Sequence, residues 1–87
     1  GFDDPRYEKY SQRLARLLLR LAHGDSAHHV MLPSREDVGA MLGITTETAS
    51  RAVAAFRREG LLQGLDRQGR HFKVDIDMLQ SVASRSE

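Results

Sequence analysis

The pattern of apolar and polar residues in the middle of the chain predicts two helices joined by a glycine turn. Ser34 and Thr45 are suitable N-cap residues, and Gly43 stands between them where a helix end favours a left-handed residue. The apolar stripe of the first helix is Val38, Met41 and Leu42, and that of the second is Ala49, Ala52, Val53 and Phe56. We therefore expect helices at residues 34–42 and 45–59, the arrangement of a helix-turn-helix.

A longer amphipathic helix is expected ahead of this pair, over residues 5–23. Asp4 and Pro5 are a favourable N-cap and first helical residue, and Gly24 ends the pattern. Its apolar stripe is Tyr10, Leu14, Leu17, Leu18 and Leu21, and its basic side is Lys9, Arg13, Arg16 and Arg20. Such a basic side is more often a solvated face than a binding patch.

Alternating residues after the second helix predict a β-hairpin over residues 61–75 with Gln68 and Gly69 at its tip. Residues 30–32 form a short apolar run that suits an edge strand paired with this hairpin. Asp77 is expected to cap a closing helix over 77–83, which turns Met78, Leu79 and Val82 towards the core. The predicted fold is mainly α with a small antiparallel β wing, a winged helix-turn-helix.

Size and charge restrict the possibilities without naming a function. A chain of 87 residues is one small domain with a single modest core. Its 13 basic and 12 acidic residues give a net charge of +1, which does not by itself indicate nucleic-acid binding. No apolar run reaches membrane-spanning length and no signal peptide is visible, so we expect a cytoplasmic protein.

The sequence offers no support for enzymatic activity, a metal site or a cofactor in this chain. It has no nucleophile with a paired base, no glycine-rich phosphate loop and no paired carboxylates expected in a cleft. Cysteine is absent, and His23, His28 and His29 have no acidic or thiol ligand at metal-binding spacing.

The outward face of the second predicted helix carries chemistry that suits DNA bases. Arg51 offers a two-pronged donor for guanine, Glu47 accepts from the cytosine amine, and Thr46 and Ser50 suit thymine or adenine edges. A recognition helix enters the major groove with its N-terminal residues, where these four lie. The alternative interpretation is a solvated helix face with an ion pair between Glu47 and Arg51.

The segment SREDVGAMLGITTETASRAVAAFRREGLL, residues 34–62, resembles the DNA-binding segment of the Crp/Fnr family of bacterial transcription regulators. The first helix matches the family pattern at Ser34, Arg35, Asp37, Val38, Gly39, Leu42 and Gly43, and the recognition helix matches at Glu47, Thr48, Ser50 and Arg51. The branch that resembles the cyclic-AMP receptor has Arg before that Glu and Gly before the final Arg. Thr46 and Ser50 occupy those positions here, so the chain resembles the Fnr-like branch.

This resemblance implies a DNA-binding domain that reads a TTGAT-like half-site with Thr46, Glu47, Ser50 and Arg51. Phosphate contacts are expected from Ser34, Arg35, Thr45, Thr48, Arg67, Arg70 and Lys73. The resemblance further implies a sensory β-barrel and a dimer helix ahead of this domain, a homodimer in the intact regulator and RNA polymerase as a partner. Any cofactor then belongs to the sensory domain, and the isolated domain is expected to be monomeric.

A second function class remains open at this stage. The near-zero net charge also permits a winged helix used as a protein-interaction or structural module. The two classes differ in salt dependence, since phosphate contacts make the affinity for duplex DNA fall steeply with salt.

Overall fold

A computed structural model describes residues 5–22 and 28–85, with side chains from residue 10 onward. The helices are α1 (Pro5–Ala22), α2 (Arg35–Leu42), α3 (Thr46–Arg58) and α4 (Ile76–Ala83). The strands are β1 (His29–Met31), β2 (Leu62–Gly64) and β3 (His71–Val74). They form one antiparallel sheet in the order β1-β3-β2. The predicted winged helix-turn-helix is therefore confirmed.

Side-chain caps and a left-handed glycine set the helix-turn-helix. Ser34 Oγ accepts a 3.1 Å hydrogen bond from the amide of Asp37, and Thr45 Oγ1 accepts an equivalent bond from the amide of Thr48. Gly43 ends α2 with φ of 73°, a conformation that glycine adopts without steric cost. The predicted caps and turn residue are thus confirmed, and α3 begins after a very short connection.

The two helices of this pair approach closely at Gly39. A Cβ atom at this position would lie 2.8 Å from the carbonyl oxygen of Ile44 and 3.2 Å from that of Thr45. The amide of Ile44 donates to the carbonyl of Gly39 at 2.9 Å, which closes the turn against α2. Glycine is needed at this position because backbone fills the space that a side chain would occupy.

The sheet joins the segment before α2 to the hairpin after α3. β1 lies at one edge, as predicted, and Val30 faces Phe72 in the register with β3. On the other side of β3, Leu62 faces Val74. The amide of Leu32 donates to the carbonyl of Arg70 at 2.7 Å, extending this pairing towards the hairpin tip. The wing is thereby anchored on both sides of its central strand.

One apolar core is shared by all the elements. Its largest fully buried side chains are Phe56, Phe72, Leu14, Leu17, Leu18, Leu32, Leu61 and Leu79. α1 crosses the core and packs against α4. Two arginines of the basic side of α1 bind the ends of other helices: Arg13 Nη1 donates to the carbonyl of Leu42 at 3.0 Å, and Arg16 Nη2 donates to that of Ala83 at 3.2 Å. Part of this side therefore stabilises helix C-termini.

Two residues assigned to apolar stripes are exposed instead. Met41 is 57% exposed, because α2 turns the side that contains Val38, Gly39 and Leu42 towards α3 and the core. Met78 is 39% exposed, while Leu79 and Val82 of the same helix are buried as predicted. In both helices the direction of packing, rather than the spacing alone, selects the buried residues.

The predicted cap of the closing helix was wrong. Asp75, not Asp77, is the N-cap of α4, and its carboxylate accepts a 3.0 Å bond from the amide of Met78. The amide of Asp75 still donates to the carbonyl of Leu61, so the helix begins directly where the sheet pairing ends. Asp77 lies in the first turn of α4. The predicted roles of Asp4, Gly24 and the side chain of Lys9 fall outside the described residues.

We predict that Gly39→Ala destabilises the domain by about 1–3 kcal/mol, the range for forcing extra volume into a packed site. The added methyl meets backbone oxygens, which cannot move aside as a flexible side chain does. Urea unfolding followed by circular dichroism measures the change. Ala40→Ser, at an exposed position of the same helix, is the control and should stay within about 0.5 kcal/mol of the parent. An equally small effect for Gly39→Ala would show that the helices can separate at no cost.

Candidate nucleic-acid interface

α3 separates an apolar face from a polar one, and the polar face holds the four predicted base-reading residues. Ala49, Ala52, Val53 and Phe56 are buried in the core. Thr46, Glu47, Ser50 and Arg51 are all exposed and lie in the first two turns of α3. The helix-turn-helix therefore presents the N-terminal end of α3 with its polar side chains outward, as insertion into a major groove requires.

Glu47 and Arg51 form an ion pair on this face. Arg51 Nη2 donates to Glu47 Oε1 at 2.7 Å, and the two side chains are 79% and 73% exposed. A pair this exposed contributes little to stability because water screens it. It does hold the guanidinium and the carboxylate side by side, one helical turn apart. Both groups can exchange their mutual contact for base edges at small cost.

Hydroxyl groups surround the N-terminal ends of α2 and α3. Ser34 and Thr45 are the caps described above, and both are exposed. Thr45 Oγ1 donates to Thr48 Oγ1 at 2.9 Å. The hydroxyl hydrogen of Thr48 is therefore not used in this bond and is available to an external acceptor. Helix N-termini with such donors are favourable positions for phosphate oxygens.

Arg35 connects α2 to the tip of the wing. Its Nη2 donates to the carbonyl of Gly69 at 3.1 Å, and its guanidinium lies 5.9 Å from the centre of the Phe72 ring. Partial burial lowers the pKa of Arg35, and the neighbouring charges of Arg57 and Arg70 lower it further. Arg35 remains a cation at neutral pH, since an arginine titrates far above it.

The turn at the wing tip is organised by Asp66. Its Oδ1 accepts from the amide of Arg70 at 3.0 Å and from that of His71 at 3.3 Å. Desolvation raises the pKa of Asp66, but these backbone hydrogen bonds outweigh it and hold the pKa below its ordinary value. Gly69 completes the turn with φ of 70°. Asp66 was not among the predicted functional residues, although an Asp at the start of a turn with Gly is a recognisable signal.

The three predicted basic residues of the wing have different surroundings. Arg67 is exposed within the tip. Arg70 donates from Nε to the carbonyl of Leu32 at 3.1 Å, so it also ties the hairpin to the segment before α2. Lys73 lines a depression at the base of the wing together with Asp75 and Asp77. The structure brings Arg70 near Arg35 and leaves Lys73 three residues further along the chain, roughly 10 Å along β3.

Two histidines meet on the outer face of the sheet. His29 Nε2 and His71 Nδ1 are 3.1 Å apart, with ring centres separated by 5.1 Å. Within residues 5–22 and 28–85, no three side chains among His, Cys, Asp and Glu are grouped to hold a metal ion. His23 lies outside the described residues. No helix in the described part of the chain is long and apolar enough to cross a membrane.

These features define a class of protein: a winged helix-turn-helix with an exposed recognition helix beside a basic wing tip. A family model for the Crp-like helix-turn-helix domain matches residues 12–82. The chain therefore belongs to the Crp-like helix-turn-helix family and is a DNA-binding domain of a bacterial Crp/Fnr-family transcription regulator, not an enzyme.

Similarities to known regulators in sequence and structure support this assignment. The transcriptional regulatory protein btr of Bordetella pertussis is 42% identical over 77 residues, which cover 82% of this chain and 31% of that protein. FixK2 from Bradyrhizobium japonicum has 28% identity and a TM-score of 0.75, over 90% of this chain and 40% of its own. The catabolite activator protein of Thermus thermophilus, at 24% identity, shares the fold with a TM-score of 0.71 over 90% of this chain and 35% of its own. The chain spans less than half the length of these relatives.

We predict that the wing-tip turn loosens at acidic pH. Because the folded-state pKa of Asp66 is depressed, its stabilising effect is complete above the unfolded value of about 3.9 and is lost as pH falls through the lower folded value. The amide proton signals of Arg70 and His71 in NMR spectra should shift over that range. Asp66→Asn keeps a carbonyl acceptor without titrating, so its spectra should lack the shift. The same shift in both proteins would assign it to another group.

Proposed function

We propose that the domain reads a TTGAT-like half-site in the major groove through Thr46, Glu47, Ser50 and Arg51. The observation that carries this proposal is their joint exposure on the first two turns of α3, with Glu47 and Arg51 held 2.7 Å apart. This face lies on the outer side of a single α-helix. Its size and shape suit the groove of B-form DNA, which admits one α-helix.

The roles of the four side chains follow from their chemistry. Arg51 donates two guanidinium N–H groups to O6 and N7 of a guanine. Glu47 accepts a hydrogen bond from the N4 amine of a cytosine in a nearby base pair. Breaking the ion pair costs little because both groups are exposed. Thr46 and Ser50 lie along the other edge of the face, where a methyl or hydroxyl approaches thymine and adenine. The half-site itself rests on the resemblance of Thr46 and Ser50 to the Fnr-like branch.

Phosphate contacts position the domain around this helix. We assign them to the hydroxyls at the N-terminal ends of both helices, to Arg35 of α2 and to the two arginines of the wing tip: Ser34, Thr45, Thr48, Arg35, Arg67 and Arg70. Lys73 stays a predicted phosphate contact, at the base of the wing in a depression that it lines with Asp75 and Asp77. Such contacts set the register of the protein on the duplex without reading sequence.

We further propose that the intact regulator is a homodimer that binds an inverted repeat, with RNA polymerase as its partner at promoters. The support is the family to which the chain belongs. A dimer matches its own two-fold symmetry to that of the DNA site. A regulator of this kind acts on chromosomal DNA, in the cytoplasm of the bacterium.

Arg51→Ala should weaken binding to the TTGAT inverted repeat by about 1–3 kcal/mol and relax the preference at the G·C pair. The slope of log affinity against log salt should stay nearly unchanged, because a base contact is lost rather than a phosphate contact. Selection from a random duplex pool, followed by anisotropy titrations, measures both quantities.

Arg67→Ala is the matched control for this change, since it removes the same charge from the wing tip. It should weaken all duplexes similarly and reduce the salt slope by about one unit. A selected motif without the G·C pair, or an Arg51→Ala protein with the parent's base preference, would remove the assignment of Arg51.

The isolated chain should bind the inverted repeat weakly, because a single domain lacks the effective concentration that links two half-sites. Fusion to a parallel dimeric coiled coil should raise the affinity by about 10²–10⁴-fold if the geometry allows both domains to engage. Fluorescence anisotropy with the full repeat measures the gain, and a single half-site is the control. Equal affinity of the fused and unfused chains for the full repeat would contradict the dimeric mode of reading.

A further inference from the structure

Arg57 is a basic residue on the recognition helix that the sequence pattern did not single out. It follows Ser50 by seven residues, about two helical turns, and therefore lies on the Thr46 and Ser50 edge of the exposed face. Arg58 follows Arg51 by the same interval and lies on the opposite edge, with Glu47. The two adjacent arginines are both exposed, but they point to different sides of α3.

The wing lies on the Arg57 side. The guanidinium of Arg57 is 5.8 Å from the centre of the Phe72 ring, and that of Arg35 is 5.9 Å from the same centre. Phe72 is fully buried, so its ring provides a fixed surface against which both cations rest. Two arginines from different helices are thus held beside the same strand of the wing.

Gly64 makes room for this arrangement. A Cβ atom at Gly64 would lie 3.0 Å from Nη2 of Arg57 and 3.5 Å from its Cζ. The backbone of β2 therefore passes directly beside the guanidinium. This contact and the Phe72 ring restrict Arg57 to a position at the junction of α3 and the wing, which lowers the entropy lost when it binds a ligand.

Arg35, Arg57 and Arg70, which we call the arginine cluster, have no carboxylate partner among the described residues. Arg35 binds the carbonyl of Gly69, and Arg70 binds the carbonyl of Leu32. The ion pair on the exposed face of α3 joins Glu47 to Arg51 and does not involve the arginine cluster. Burial is the larger cause of the lowered pKa of Arg35, and the neighbouring positive charges of Arg57 and Arg70 lower it further. An anion at the cluster would relieve this repulsion.

We propose that Arg57 and Arg35 together bind a phosphate of the DNA backbone, at the place where one DNA strand passes between α3 and the wing tip. This inference rests on the proposed function, because the Thr46 and Ser50 edge must face the DNA. A guanidinium suits a phosphate through two parallel N–H···O bonds. Arg57 thereby extends the contact surface of the recognition helix beyond the base-reading turns, and it contributes affinity without base preference.

The test compares Arg57→Ala with Arg58→Ala, which removes an identical charge from the next residue. Anisotropy titrations use the 87-residue chain, a duplex with the TTGAT inverted repeat and a duplex with the same bases in scrambled order. Arg57→Ala should lose about five- to tenfold in affinity for both duplexes near 0.1 M salt, and its log–log salt slope should fall by about 0.9. For Arg58→Ala, the change in log affinity and the change in salt slope should each be no more than about a third of the change expected for Arg57→Ala.

Arg57→Lys provides a second variant that keeps the charge. It should retain the salt slope and lose part of the affinity, since an ammonium cannot make the paired contact. Thermal unfolding monitored by circular dichroism confirms that each variant is folded before binding is compared. Equal losses for Arg57→Ala and Arg58→Ala, or an unchanged slope for Arg57→Ala, would overturn the proposal.

A titration with inorganic phosphate separates DNA from a free anion as the ligand. If phosphate raises the melting temperature of the parent chain but not of Arg57→Ala, while DNA binding is equal in both, the cluster serves a free anion and the proposal is wrong. If the parent chain binds neither duplex at any salt concentration, the proposed function fails as well. If the parent binds the duplexes and Arg57→Ala reduces affinity and salt slope no more than Arg58→Ala does, this inference alone is rejected.

Discussion

The close contact between the backbone of α2 and the turn at Ile44 and Thr45 determines how the whole interface is presented. Gly39 permits this contact, because any Cβ atom would meet the carbonyl oxygen of Ile44 at 2.8 Å. Gly43 then reverses the chain in a left-handed conformation, and Thr45 caps α3 immediately afterwards. The separation and angle of the two helices are fixed by backbone atoms, which yield less than side chains do. The polar face of α3 is therefore directed outward while its other face fills the core.

A second constraint links this helix pair to the wing. Phe72 of β3 is buried in the core, and the cations of Arg35 and Arg57 rest against its ring. Arg35 also holds the carbonyl of Gly69 at the tip. These contacts make the recognition helix and the wing parts of one packed unit. A displacement of the hairpin would break contacts to both α2 and α3, so the surfaces proposed to contact phosphates and bases keep a fixed position relative to each other.

The distribution of charge explains why composition was a poor guide to function. The net charge is +1, which is too small to indicate a polyanionic partner. In the folded chain, however, Arg35, Arg57 and Arg70 lie together between α2, α3 and the wing without a carboxylate partner in the described residues, while Asp75 and Asp77 lie at the base of the wing. Folding thus brings together positive charges that are interspersed with negative ones along the sequence, and the total charge does not reveal this grouping.

The sequence by itself determined the helix-turn-helix, because its signals are local: Ser34, Gly43 and Thr45 act within one helical turn, and the apolar period needs only neighbouring residues. It also placed Thr46, Glu47, Ser50 and Arg51 on one face, since helix geometry fixes which side chains share a side. The tertiary structure decided what depends on packing direction, which spacing does not contain. Met41 and Met78 are exposed, Asp75 replaces Asp77 as the cap, and Lys73 lies away from the tip. Arg57 acquired its place beside Phe72 only when residues distant in sequence came together across the core.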